Sequence, residues 1–364
     1  MNNKMNIIVW SKKHEECTLD QWKSVLWSDE SKFEIFGSNC CIFVKRREGT
    51  FLSEQIMETN KTMVKYFILL AFADLHQFQY LLIFVFLLTY ITCVIGNFAI
   101  IVLVGVEPSL HRVMYYFISV FSVLEIMFVS VIVPKLLDNL IAANNVIYFN
   151  ECFAQMYMFI SLAGTECYLL VVMVYDRHVA INNPLHYSAI MTPTVCINLA
   201  LLPWIIGFAI SSIPVFITAH LEFCGPNMID HFFCDLAPLQ NLACSDPFIS
   251  ILSTSTGAVF NAAMSFITII GFYIRIIMTV NKIKSEEGKQ KAFSTCSSHL
   301  IVAGLFYGTG IIVYAKPKGS HYAKYLTFMY TAFTPMINPF IYTFRNRDVK
   351  KVLLNSISRF IKPV

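Results

Sequence analysis

Seven apolar stretches of about twenty residues or more, each nearly free of charge, follow residue 77 at 78–104, 114–137, 152–175, 194–217, 248–280, 293–314 and 325–344. The hydrocarbon core of a bilayer, about 30 Å thick, needs about 20 apolar residues in helix. Backbone amides in lipid must also be satisfied within the chain, which restricts such segments to helices or closed barrels. The pattern therefore predicts an all-α membrane protein, a seven-transmembrane-helix bundle over 78–344. The fifth stretch is longer than a crossing requires, so its ends are expected to project into water. The first begins too late and runs too long to be a cleavable signal. Composition agrees: of 364 residues, 56% are hydrophobic and only 14% charged, a balance rare in soluble chains. With 27 Lys and Arg against 23 Asp and Glu, the net charge is too mild to make nucleic acid an expected partner. Membrane lipid is.

Orientation follows from the basic residues beside the spans. Lys282, Lys284, Lys289 and Lys291 in one loop, and Arg345, Arg347, Lys350 and Lys351 in the tail, mark the cytoplasmic side. An odd number of spans then puts the N-terminus outside, where Asn60-Lys61-Thr62 forms a glycosylation sequon at Asn60. Lys316, Lys318 and Lys324 dissent by falling outside, and are outweighed by two cytoplasmic clusters. Of 11 cysteines, Cys152, Cys224, Cys234 and Cys244 fall on the oxidising side, where disulfides are expected. Four cysteines allow three pairings, and the residues alone do not choose among them. A zinc site of Cys224, His231, Cys234 and Cys244 is disfavoured, because an extracellular loop favours oxidation over thiolate ligation. Cys93, Cys167, Cys196 and Cys296 lie in or near spans and read as small apolar packers.

Two carboxylates, Glu125 and Glu166, fall in the middle of spans two and three, where an ionised group costs roughly 2.5 kcal/mol or more. Something must compensate. Either they share a cation, with Asn97 and Asn338 nearby, or one is protonated and simply hydrogen-bonded.

Three longer motifs occur in order: MVYDRHVAINNPLHY from Met173 to Tyr187, KAFSTCSSHL from Lys291 to Leu300, and PMINPFIYTFRNRDVKKVL from Pro335 to Leu353. Together with Gly96-Asn97, MYYFIS at 114–119 and FCGPNMIDHFFCD at 223–235, they resemble vertebrate odorant receptors of the rhodopsin-like, G-protein-coupled class. The resemblance runs from about Met57 to the end. It implies an outer N-terminus over 57–77, a seven-helix receptor domain over 78–344, and a short amphipathic cytoplasmic helix in the tail, 345–364, of a multi-pass protein of the plasma membrane. It implies disulfides between Cys152 and Cys234 and between Cys224 and Cys244.

In such receptors Asp176 and Arg177 match an ionic motif at the inner end of span three. The carboxylate holds the permanently charged guanidinium at rest and releases it when the helices part for a heterotrimeric G protein. Tyr273 and Tyr342 match tyrosines of the cavity opened by activation, and His299, Asn338 and Pro339 belong to the same switch. The resemblance implies a stimulatory, olfactory-type G protein, a rise in cyclic AMP, and no enzymatic activity or resident cofactor. The carboxylate pair, with Asn97 and Asn338, resembles the sodium site of the class, although Glu125 stands where family members usually carry Asp.

The implied odorant site lies in the outer third of the bundle: Phe159, Ile160, Ala163, Gly164, Gly257, Asn261, Tyr307, Gly310, Ile311, Tyr314, Phe328 and Thr331. Phe159 stands where amine receptors carry Asp, so a small, mainly uncharged organic ligand is expected, with Asn261, Tyr307 and Tyr314 as hydrogen-bond partners. Ordinary helix packing is the competing role for each. The chain departs from the family at His178 for Tyr, Asn182 for Cys and Val113 for Pro, none of which removes a group the mechanism requires.

Residues 1–56 stand apart. They are polar, and TLDQWKSVLWSDESKFEIFGSN, followed by Lys45-Arg46-Arg47, resembles part of a Tc1/mariner-type transposase in which Asp29 would be one of three metal-binding carboxylates. The other two are missing, and two-metal chemistry needs them. The segment is also too short to bury a nuclease core. It is expected to be an inert, mis-joined or relic extension without an independent fold. Transporters predict internal repeats and broken midplane helices, and no repeat is found. A peptide or lipid receptor of the same class is the nearest competitor, and KAFSTCSSHL counts against it.

Overall fold

The computed structural model describes residues 31–34, 41–44, 64–142, 145–224, 227–314, 323–345 and 349–354. The chain divides into two units, 1–63 and 64–364. In the first, β1 (Ser31–Glu34) pairs antiparallel with β2 (Cys41–Val44), Ser31 opposite Val44. Asp29 and the sequon residue Asn60 lie outside the described residues.

The second unit is built from long helices. α1 (Gln79–Val106), α2 (Val113–Ala142), α3 (Phe149–Asn182), α4 (Pro193–Ala219) and α5 (Phe248–Asn281) are, among the described residues, the five long and apolar enough to cross a membrane. They are followed by α6 (Glu286–Tyr314), α7 (Ala323–Phe328), a π turn (Met329–Phe333) and α8 (Thr334–Arg345). Residues 349–354 are helical within the tail, and 355–364 lie outside the described residues.

Helix ends follow local chemistry more than the apolar runs do. α3 begins three residues before the apolar stretch, where the Glu151 carboxylate accepts the Tyr148 backbone N–H at 3.2 Å. It continues through Asp176 and Arg177 and stops at Asn182, because Pro184 disfavours helical geometry in the residue before it. α4 starts with Thr192 as cap, its hydroxyl accepting from the Val195 amide at 3.4 Å, and with Pro193 in the first helical position. α6 begins at Glu286, earlier than the apolar run, with Glu286 and Glu287 in its first turn, where the helix dipole favours negative charge.

The all-α expectation needs one correction. A three-stranded sheet covers the disulfide-bearing end of the unit, with β3 (Tyr66–Leu69) central, antiparallel to β4 (Val146–Tyr148) and parallel to β5 (Met228–Ile229). Strands this short carry too few residues for their alternation to register in the sequence. Phe67 and Leu69 point inward while Tyr66 is exposed, as the two-residue period of a strand requires. Further amides anchor the segment, Leu70 N–H to Ile229 O at 2.8 Å and Ala71 N–H to His231 O at 3.1 Å. Beneath it Cys152 is bonded to Cys234, and nearby Cys224 to Cys244, the two pairs implied by the resemblance.

α2 and α3 supply the centre of the core, with Phe121, Leu124, Phe128, Leu162 and Leu169 almost wholly buried. α3 and α4 approach closest at Gly207. A Cβ there would lie 2.5 Å from Thr165 Oγ1, 2.7 Å from Ser161 O and 2.8 Å from Thr165 N. Two of these are backbone atoms that cannot step aside. Alanine would gain about 1 kcal/mol of helix propensity, but overpacking costs about 1–3 kcal/mol. Gly207→Ala is therefore expected to lower the thermal midpoint of the purified chain, while Gly105→Ala, which meets nothing within 4 Å, leaves it equal or higher.

Candidate functional site

At the end of α3 remote from the disulfides, Asp176 is 1% exposed and receives three hydrogen bonds. The Arg177 Nε–H donates at 3.0 Å, the Arg177 Nη2–H donates to the same oxygen, and the Tyr187 hydroxyl donates to the other oxygen at 2.6 Å. Tyr187 stands on a single helical turn, Tyr187–Ile190. Burial first, and then the bond to Asp176, raise the Tyr187 hydroxyl above its ordinary range, so the phenol keeps its proton as a donor. A buried ion pair is favourable only where the remaining lone pairs find donors, and Tyr187 is that donor. The sequence reading missed it.

The other switch residues converge on the same half of the bundle. The Tyr273 hydroxyl on α5 donates to Cys296 O on α6 at 3.3 Å. Tyr342 on α8 lies edge-on to Phe121 at 6.1 Å and 5.8 Å from the His299 ring. Among the described residues, the buried Tyr342 hydroxyl and His299 Nδ1 have no hydrogen-bond partner. Pro339 closes on α1, where a Cβ on Gly96 would lie 3.2 Å from the proline Cβ.

Midway along the bundle, Asn338 Nδ2 donates to Glu125 Oε1, joining α8 to α2. Glu125 is 0% and Glu166 3% exposed, and the two carboxyl groups lie within electrostatic reach of each other. Asn97 instead donates to its own helix, at 3.0 Å to Cys93 O. Three buried oxygens here, Glu125 Oε2, Asn338 Oδ1 and Ser122 Oγ, have no partner among the described residues. Unpaired carboxylate, amide and hydroxyl oxygens are the donor set of a hard cation. No group of three or more His, Cys, Asp and Glu that could hold a metal occurs among the described residues.

Toward the disulfide end, aromatic rings of four elements meet around Phe159. It lies 5.2 Å from Phe128 on α2 and 4.7 Å from Phe233 of the loop after α4, centroid to centroid. Tyr330 of the π turn continues the set, 6.3 Å from Phe128 and 5.7 Å from Phe306 on α6. Phe128, Phe233, Phe306 and Tyr330 were not anticipated.

The anticipated ligand residues divide. Ile160 and Ala163 are half-buried against the core. Thr331 is 1% exposed and its hydroxyl has no partner among the described residues. Gly257 and Gly310 have no atom within 4 Å of where a Cβ would be. Two polar candidates are already engaged: Asn261 Oδ1 accepts from the Tyr168 hydroxyl, and the Tyr307 hydroxyl donates to Ser265 Oγ at 2.7 Å. Gly164 lies against Gly207 of α4, and Phe328 lies edge-on to Phe86 of α1 at 4.7 Å and to Phe232 of the loop after α4 at 6.4 Å. Ile311 and Tyr314 lie in the last turn of α6, with side chains outside the described set.

Long apolar helices of this kind mark a multi-pass membrane protein. Comparison with known proteins is more specific. A family model described as olfactory receptor matches residues 86–359. Human olfactory receptor 2A25 is 42% identical over 306 residues, which cover 83% of this chain and 99% of the relative. Human olfactory receptor 6B1 is 44% identical over 298 residues, covering 81% and 95%, and mouse olfactory receptor 6E1 is 41% identical over 307, covering 83% and 98%. The chain belongs to the olfactory receptor family, a family of G-protein-coupled receptors and not of enzymes.

Replacing Tyr187 by Phe strips a donor from a buried carboxylate, a change worth about 1–3 kcal/mol. Tyr187→Phe is expected to lower the thermal midpoint of the purified chain. Coupling through Asp176 predicts that Tyr187→Phe in an Asp176→Asn background lowers it less.

Proposed function

We propose that the chain is an odorant receptor of the plasma membrane. It binds a small, mainly apolar organic molecule inside a seven-helix bundle and activates a stimulatory, olfactory-type G protein that raises cyclic AMP. On this reading α6 and the rod formed by α7, the π turn and α8 are the sixth and seventh crossings, the disulfide end faces outward, and Asp176 and Arg177 face the cytoplasm. The charge count supports that orientation better than it first did. Lys324, which ran against it, is 5% exposed and pairs with Asp230 at 3.2 Å.

The observation that carries the ligand assignment is the aromatic surround of Phe159; two of the expected polar partners, Asn261 and Tyr307, are already hydrogen-bonded to Tyr168 and Ser265. Such a surround offers dispersion and hydrophobic contact and little to balance a ligand charge. The unpartnered Thr331 hydroxyl is available to a single polar atom of the ligand.

The lock gives the mechanism. With Asp176 holding Arg177, the guanidinium is turned back on its own helix. A ligand that binds the open arrangement better than the closed one shifts the population toward it, and Arg177 is freed for the G protein. In cells expressing the full chain with an olfactory-type stimulatory G protein, some members of a broad odorant panel are expected to raise cyclic AMP dose-dependently, and Arg177→Ala to abolish the rise at equal surface expression. Silence of the unmodified chain across the panel, despite surface expression, contradicts the reading.

A sodium ion among Glu125, Glu166 and Asn338, with Asn97 alongside, fits the unpartnered oxygens of that layer. Bound there, the cation would supply positive charge to two buried carboxylates. Replacing extracellular sodium by a large organic cation is expected to change basal signalling of the parent chain and to leave Glu166→Gln unmoved.

A further inference from the structure

The loop after α4 is held over the aromatic set at two points of the same residue. Cys234 is tied through its sulfur to Cys152 of α3. Its backbone N–H donates to Gln155 Oε1 at 3.1 Å, and Gln155 Nε2 donates in turn to Val131 O of α2 at 3.0 Å. Gln155 is 9% exposed, so both ends of its carboxamide are spent on backbone groups of other elements in a dry setting. Val131 follows Ser130, whose carbonyl Pro134 leaves without its usual helical donor.

A disulfide fixes where Cys234 sits but leaves its peptide plane free to turn. The hydrogen bond fixes that plane, and with it the direction of the two preceding side chains. Phe232 and Phe233 are each 0% exposed. Phe232 stacks on Phe72 at 5.5 Å, and Phe233 descends onto Phe159 at 4.7 Å. We propose that Gln155 is the positioning residue that sets residues 232–234 as the roof of the odorant cavity, making Phe233 a determinant of ligand size. The proposal rests on the odorant-receptor reading.

A packing role for Gln155 predicts that any side chain of similar volume serves. A positioning role demands one donor and one acceptor. Gln155→Leu removes both and leaves the Cys234 N–H buried and unpaired. It is expected to raise half-maximal odorant concentrations about tenfold and to narrow the differences between odorants that differ by one or two methylenes.

Gln155→Glu is the discriminating variant. Protonated, the carboxyl group offers an O–H to Val131 O and a C=O to Cys234 N–H, the pattern of the amide; ionised, it loses the donor and is repelled by the Val131 carbonyl oxygen, which draws it away from the Cys234 N–H. Burial raises a carboxyl group's pKa, so sensitivity should recover as external pH is lowered from about 8 toward 5.5, across the range such burial reaches. Asp230 and His231 just before the roof, Lys324 of α7 paired with Asp230, and Glu151 one turn away on α3 are the titratable groups nearby, so the parent receptor is measured at every pH and its response subtracted.

Hydrogen exchange of residues 227–236 in the purified full chain needs no odorant. It should accelerate in Gln155→Leu, and in Gln155→Glu at high pH only. Unchanged exchange in Gln155→Leu, or a Gln155→Glu receptor with the pH profile of the parent, overturns the proposal. If the parent answers no odorant, the receptor reading fails, and exchange still decides whether Gln155 orients the loop.

Discussion

A polar group inside an apolar slab must find its partner within the chain, because lipid offers none. That constraint explains the helices, and it also decides what the buried side chains do. Thr89, Thr165, Thr218 and Thr309 each return a hydroxyl to the carbonyl four residues earlier. Asn338 ties α8 to α2 through Glu125, Tyr168 ties α3 to α5, and Tyr307 ties α6 to α5. Each such bond is strong because nothing competes with it. Among the described residues, the polar atoms left over include those of Ser122, Glu125 and Asn338 in the carboxylate layer, of His299 and Tyr342, of Thr331, and of Ser161 and Asn182.

These leftovers separate structure from function. A connected network, such as Thr218 of α4 with Ser250 and Thr254 of α5 and Gln240 of the segment between them, stiffens the fold. An unpartnered buried oxygen is costly, and on the proposed reading those of the carboxylate layer suit a cation and that of Thr331 a ligand. The π turn belongs to this economy as well. It places the Tyr330 ring and the Thr331 hydroxyl inward together, and the Thr334 hydroxyl donates to Met329 O at 3.3 Å to steady the widened turn.

The existence and order of the helices were legible in the sequence, because a twenty-residue apolar run has few other solutions. The ionic motif and the cysteines were legible through resemblance. What escaped was rotation and register. A helix apolar on every side carries no stripe to say which residue faces inward, so the meeting of Gly164 with Gly207 and of Phe328 with Phe86 was not legible. Gln155 and Tyr168 were invisible for a related reason, since their meaning lies in partners 79 and 93 residues distant. The outer sheet escaped because its strands of four, three and two residues are shorter than any period that could announce them.

That sheet also orders events in time. Its central strand leaves the ribosome before α1, yet one edge waits for the residues before α3 and the other for the loop after α4. The β3 strand therefore stands unpaired through two helices and paired on one edge alone through two more, so the sheet is completed long after its central strand is made. Anything that delays or diverts the emergence of residues 228–229 holds the whole outer end open, however well the helices beneath it have already packed.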